Sequence, residues 1–181
     1  RGAHLVIAAR GAARVDDAVA ALDASGAEAA GIVADVATEA GRAAALQGAI
    51  DAFGGLDILV NNAGAVRAGR LDAIDEDEIR AMIEVDLVAP IMLTRAALPL
   101  LRTGPESMIV NVSSAIALVA MPYYATYAAV KAGLANFGES MRRELNGEGI
   151  RVMTVYPSGT DTPMMATNNA GPEIGFSLEP A

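Results

Sequence analysis

Apolar residues follow two alternating rhythms along this chain: short unbroken runs, and longer stretches where they recur at helical spacing. His4-Leu-Val-Ile-Ala-Ala9 reads as a strand, about Ala13–Ala24 as a helix, and Ala30-Gly-Ile-Val-Ala34 as the next strand. Thr38 is placed to cap a helix reaching Phe53, which Gly54-Gly55 stops before a strand over Leu56–Val60. Helices are expected at about Asp75–Val85 and Asp86–Leu101, then a strand over Met108–Val112, a helix over Tyr127–Asn146 and a strand over Ile150–Val155. Such alternation implies parallel pairing in an α/β fold, because each crossover helix returns the chain to the same end of the sheet. No repeat or low-complexity linker interrupts the pattern, so residues 1–181 are expected to form a single domain.

The helix after Tyr127 carries Val130, Leu134, Phe137, Met141 and Leu145 at helical spacing, a stripe expected to face the sheet. Ala128, Ala132 and Ala135 form a second side of small residues, suited either to intramolecular core or to close packing of another helix. The acidic run Asp75-Glu-Asp-Glu78 has the form of a capping box, with carboxylates facing the positive end of a helix, rather than a metal site.

Composition narrows the class. Of 181 residues 53% are hydrophobic and 18 are glycine, enough for a substantial core. No apolar run approaches the roughly 18 residues of a membrane span, and nothing at the start has the form of a signal peptide, so a cytoplasmic location is expected. The chain has no cysteine, hence no disulfide or thiolate metal site, and the single His4 cannot anchor a histidine cluster. A net charge of -9 opposes binding to nucleic acid or acidic membranes, both of which need clustered cations.

One lysine, Lys131, stands in a chain that otherwise uses arginine, four positions after Tyr127. On a helix that offset puts phenol and ammonium on one face. An ammonium beside a tyrosine favours phenolate and is expected to lower its pKa from near 10. The strand over Met108–Val112 ends in Ser113-Ser114, and a loop then delivers Tyr127 to the start of its helix. In open parallel sheets functional groups gather beyond the carboxyl ends of strands.

Tyr127-Ala-Ala-Val-Lys131 with the preceding serines resembles the Ser, Tyr and Lys signature of the classical short-chain dehydrogenase/reductase family. Ser114 has the thirteen-residue lead on the tyrosine that is usual there, with Ser113 as the alternative. Leu56-Asp-Ile-Leu-Val-Asn-Asn-Ala-Gly64 resembles the family's N-N-A-G strand end, Asp35-Val36 its adenine-flanking dipeptide, and Tyr156-Pro-Ser-Gly-Thr-Asp-Thr-Pro163 its P-G-x-x-x-T segment. The resemblance implies a Rossmann-like, doubly wound parallel sheet in three layers. It further implies a nicotinamide cofactor along Asp35, Val36, Asn62, Ala63, Gly64, Tyr127, Lys131, Pro157, Thr160 and Thr162. Carbonyl–alcohol interconversion would follow, with Ser114, Tyr127, Lys131 and, at the fourth position of the family's tetrad, Asp86 catalytic. Family members commonly form homodimers or homotetramers through the helices at about 86–101 and 127–146.

Which cofactor is used turns on the end of the first visible strand. An acidic residue there reads the ribose 2′-OH, whereas an arginine accommodates a 2′-phosphate. Ala9 stands where NAD-preferring relatives carry aspartate, and Arg10 and Arg14 follow, which points to NADP with NAD as the alternative.

Two departures from the family stand out. The chain starts in what corresponds to the family's second strand, without an initiator methionine. The first strand and Gly-rich pyrophosphate turn, roughly 25 residues at usual element lengths, are expected to precede it in a longer parent. The tail likewise stops at Ala181 before the family's final helix and strand. In the order 3-2-1-4-5-6 the lost strand would separate the strands at His4–Ala9 and Leu56–Val60, leaving each short of a partner. The second departure is Asp86, where the family has an asparagine whose main-chain carbonyl holds a water of the proton relay. Asp86 is expected to keep a place at a helix break and accept backbone N–H bonds. Other readings are an epimerase or dehydratase with tightly held NAD, a non-catalytic Rossmann-type binding protein, or an inert fragment. The pocket-forming segment Met164–Pro172, with its methionines, suits an apolar carbonyl substrate.

Overall fold

The computed structural model describes residues 2–161 and 179–180. The strands are β1 (His4–Ala9), β2 (Glu28–Val33), β3 (Ile58–Asn61), β4 (Ser107–Val112) and β5 (Ile150–Val155). The helices are α1 (Ala12–Ala24), α2 (Glu39–Phe53), α3 (Glu76–Ile83), α4 (Ala89–Leu101) and α5 (Ala125–Glu144). All five strands pair in parallel, as the alternating pattern implies. They do so in two pieces: a pair β1–β2, with His4 opposite Glu28, and a trio β3–β4–β5, with Ile58 opposite Met108 and Ser107 opposite Ile150. No ladder joins β1 to β3 among the described residues, so the break in the sheet falls where the family resemblance puts an extra strand. Thr160–Asp161 also pairs with Glu179–Pro180.

Helix α2 packs on β1 and β2 and also against α4, and so ties the two pieces together. Its ends follow from local chemistry. The Thr38 hydroxyl accepts the Gly41 N–H at 3.0 Å, and Gly54 ends the helix at φ 80, a conformation open to glycine. Around β2 the layering is double: Gly31 faces Val15 and Val19 of α1, while Ile32 packs over Gly48 of α2. Around the trio one face is closed by Leu93, Ala97 and Leu101 of α4, Met141 of α5 and Leu145 at its C-cap, packed on Leu59, Ile109 and Ile150. Strand periodicity sends Ile58 and Val60 to the other face, where they are 52% and 53% exposed.

The expected stripe on α5 is the buried one: Val130, Leu134 and Met141 face inward, as does Leu145 just beyond the helix end, and Phe137 packs on the same core. Other boundaries shift. Strand β2 starts two residues earlier than its apolar run, β3 covers Ile58–Asn61, and α5 starts at Ala125, placing Tyr127 in its first turn. The two helices expected on either side of residue 86 are one helical run from Glu76 to Leu101, joined by a π-turn over Glu84–Val88. Here the chain widens instead of breaking, which a count of apolar positions at 3.6 spacing cannot register. The capping box is half made. Asp75 accepts the Asp77 N–H at 2.8 Å, but Glu78 pairs with Arg67 at 2.8 Å instead of reaching back.

Gly41 marks the tightest backbone approach: an added Cβ would fall 1.9 Å from the Asp35 carbonyl oxygen. Gly41→Ala is therefore expected to destabilise the fold by about 2 kcal/mol, the backbone clash outweighing the ~1 kcal/mol that alanine gains in helix propensity. Urea denaturation of the two proteins would measure it, and equal midpoints would contradict the packing described.

Candidate active site

Most described candidate residues follow the carboxyl end of a strand, while Tyr127 and Lys131 lie in the first two turns of α5 and Asp86 in the π-turn. Arg10 follows β1, Asp35 and Val36 follow β2, Asn62 to Gly64 follow β3, Ser113 and Ser114 follow β4, and Pro157 follows β5. The loops after β4 and β5 are stitched together, Ala115 N–H donating to the Pro157 carbonyl at 2.9 Å. For Thr160 only the backbone is described, and Thr162 and the segment Met164–Pro172 lie outside the described residues.

The structure separates the two serines. Ser113 is buried and its hydroxyl donates to the Lys131 carbonyl at 2.9 Å, pinning α5 to the end of β4. The Ser114 hydroxyl caps the short helical turn Ala115–Ala117 by accepting the Ile116 N–H at 3.3 Å, and it shares a hydrogen bond with Tyr127. Ser114 is therefore the serine that reaches the phenol. Beneath them Val66, Ile116 and Tyr124 form a small apolar floor on which Tyr127 packs. Tyr123 takes φ 69, unusual for a residue with a side chain, while its carbonyl accepts the Gly69 N–H at 2.8 Å.

Lys131 and Asp86 are the buried charged residues among those described. Their side chains are 6% and 0% exposed, with Nζ 3.0 Å from Asp86 Oδ1. The ammonium also donates to the Val112 carbonyl at 3.1 Å and lies 5.7 Å from the Tyr127 ring centre. Asp86 Oδ2 accepts the Ala65 N–H at 2.8 Å, so the carboxylate takes a backbone bond as expected, from the turn after β3. Burial still pushes the Asp86 carboxyl above its usual range, against the pull of Lys131 and of the Ala65 bond.

The expected lowering of the Tyr127 pKa is not what the geometry produces. Burial, then the charge of Asp86, push the phenol up to about 12, against the Ser114 hydrogen bond and with a small upward contribution from Tyr124. The sequence offset puts phenol and ammonium on one face, but the ammonium is held by Asp86 and Val112, at the ring rather than at the hydroxyl. Spacing alone missed three parts of this site: the Ser113 anchor, the Val112 carbonyl and the Ala65 turn. It also missed a buried polar cluster behind it, where the Asn61 amide donates to Asn111 at 2.9 Å and to Thr94 at 3.1 Å. The signal was present, since each asparagine interrupts an otherwise apolar strand.

The family pattern for short chain dehydrogenases matches residues 1–173. This chain belongs to that family. It is 38% identical over 137 residues to trans-4-hydroxycyclohexanecarboxylate dehydrogenase of Sinomonas cyclohexanicum, covering 76% of this chain and 51% of that one. It is 37% identical over 126 residues to the 3-oxoacyl-[acyl-carrier-protein] reductase FabG of Vibrio cholerae, covering 70% and 52%. A crystal structure of a short-chain dehydrogenase from Streptomyces avermitilis superposes with a TM-score of 0.81 at 31% identity, over 90% of this chain and 58% of that chain. The matched region spans about half the length of the two curated relatives. No helix among the described residues is long and apolar enough to cross a membrane.

The raised phenol makes the stability of this chain sensitive to alkali. A group whose folded pKa lies above its unfolded value contributes stability that is complete below pH 10.0 and is lost as the pH rises through about 12. Tyr127→Phe is expected to flatten the fall in melting temperature across that window. An unchanged slope in the variant would contradict the burial of the phenol.

Proposed function

We propose that the protein interconverts a carbonyl and an alcohol on a small molecule, using NADP in preference to NAD. The observation that carries this reading is the meeting of Ser114, Tyr127 and Lys131 at the end of β4, with Ser114 bonded to the phenol and Lys131 beneath its ring. A bound nicotinamide nucleotide supplies the hydride. The chain's own residues handle the oxygen: Ser114 hydrogen-bonds it and Tyr127 gives it a proton in reduction, donors aimed where alkoxide charge develops. A phenol that holds its proton to high pH is suited to the donor's role across the neutral range.

The residues present suit a nucleotide. Arg10 is exposed at the end of β1 and makes no ion pair with the described residues, and no carboxylate stands in its place to repel a 2′-phosphate. Asn62 and Ala63 are exposed beyond β3, while Asp35 uses Oδ1 to accept the Ala37 N–H at 3.0 Å and so shapes the turn where an adenine would lie. Pro157, Thr160 and Thr162 are assigned to the nicotinamide end. A cytoplasmic site of action and assembly as a homodimer or homotetramer belong to the same proposal. Supporting the assembly, the half-buried Ala128, Ala132 and Ala135 of α5 and the partly exposed Met92 of α4 offer small and apolar surface for a second copy.

Tyr127→Phe in the full-length protein is expected to lower carbonyl reduction by at least about 100-fold with NADPH affinity unchanged within about threefold. Retained turnover would overturn the assignment. Arg10→Ala is expected to weaken NADPH binding by about tenfold and leave NADH binding unaltered, as followed by nucleotide fluorescence. Equal losses for both nucleotides would remove Arg10 as the phosphate reader.

A further inference from the structure

The neighbours of Asp86 are both donors. The Ala65 N–H points at Oδ2 from 2.8 Å and the Lys131 ammonium faces Oδ1 from 3.0 Å. An amide at this position would have to turn its NH₂ toward one of them, setting donor against donor in a buried site. A carboxylate accepts the first and pairs with the charge of the second. Gly64 belongs to the same fit, since a Cβ there would fall 2.6 Å from Asp86 Oδ1 and 3.5 Å from Lys131 Nζ. Asp86 thus enters this site as an acceptor with negative charge.

We propose that the Asp86 carboxylate is a positioning residue: it anchors the Lys131 ammonium between the Ala65 turn and the Val112 carbonyl, and so sets how much of that charge reaches the Tyr127 hydroxyl. The groups facing the phenol come from three elements. Asp86 comes from the π-turn, Ser114 from the loop after β4, and Lys131 with Tyr124 from α5 and its cap. Asp86 raises the phenol pKa and Ser114 lowers it. Of these, only Asp86 both faces the phenol and holds the ammonium. Neutralising it removes a negative charge and at the same time frees Lys131 to move toward the hydroxyl, two changes that favour phenolate together.

The test rests on the proposed role of Tyr127 only in its turnover arm. Near-ultraviolet difference absorbance reports phenolate formation. Subtracting the Tyr127→Phe titration isolates Tyr127 in the cofactor-free, full-length protein. At a fixed alkaline pH within the folded range, Asp86→Asn is expected to raise the Tyr127 phenolate fraction about tenfold, which corresponds to about one pH unit. The upper limb of the pH profile for carbonyl reduction is expected to move down by the same amount. A phenolate fraction within about twofold of wild type would overturn the proposal, whatever the turnover. Should Asp86→Asn fail to fold, the double variant Asp86→Asn/Lys131→Met removes both charges together. It is expected to hold at least as much phenolate as wild type. About tenfold less would show that Lys131 acts on the hydroxyl past Asp86, and would overturn the proposal as well.

Discussion

The burial of one ammonium organises this site. Taking Lys131 and Asp86 out of water costs several kcal/mol per ion, and neither is tolerable without the other. The pairing makes four separate elements agree in position. The π-turn must swing Asp86 inward, the turn after β3 must bring the Ala65 N–H to it, β4 must end with the Val112 carbonyl open to the ammonium, and α5 must start where Lys131 meets Asp86 and Val112. Ser113 reinforces the last of these by binding the Lys131 carbonyl. Ser114 and Tyr127 sit above this anchor, so their relation to each other is inherited from it.

The π-turn follows from that demand. A regular helix through residues 84–88 would rotate Asp86 differently, whereas the widened turn buries it while letting α3 and α4 run on as one element. Gly64 answers the same demand from the opposite side, its missing side chain leaving room for the carboxylate. Farther back, Asn61, Asn111 and Thr94 join β3, β4 and α4 through buried hydrogen bonds, so the two strand ends that carry the site are held in register by more than the ladder.

Much of this was legible in the sequence, for reasons that can be named. Strands and helices announced themselves because burial on a sheet and on a helix leaves different periodicities. Thr38 and Gly54 marked the ends of α2 through chemistry that acts within four residues. Tyr127 and Lys131 were readable because an offset of four fixes their shared helix face, whereas Ser114 was readable through its family-like lead on the tyrosine. The charge environment of Tyr127 was not readable, since Asp86 lies 41 positions before it and meets it only through the fold. The same limit applies to Ala65 and Val112, which act through backbone atoms that no residue identity reveals. The division of the sheet between β1 and β3 was legible only through the family's strand order.

The structure thus sets a buried phenol beside a fixed ion pair, with a serine next to it and an exposed arginine at the end of β1. The most direct test of the account is isotope transfer. Full-length protein would be incubated with NADPH deuterated at the transferable position and a panel of cyclic ketones and 3-oxoacyl thioesters, and the alcohols examined by mass spectrometry. The account predicts one deuterium, bound at the carbinol carbon of the product. Nucleotide bound saturably with no deuterium reaching any product would contradict it.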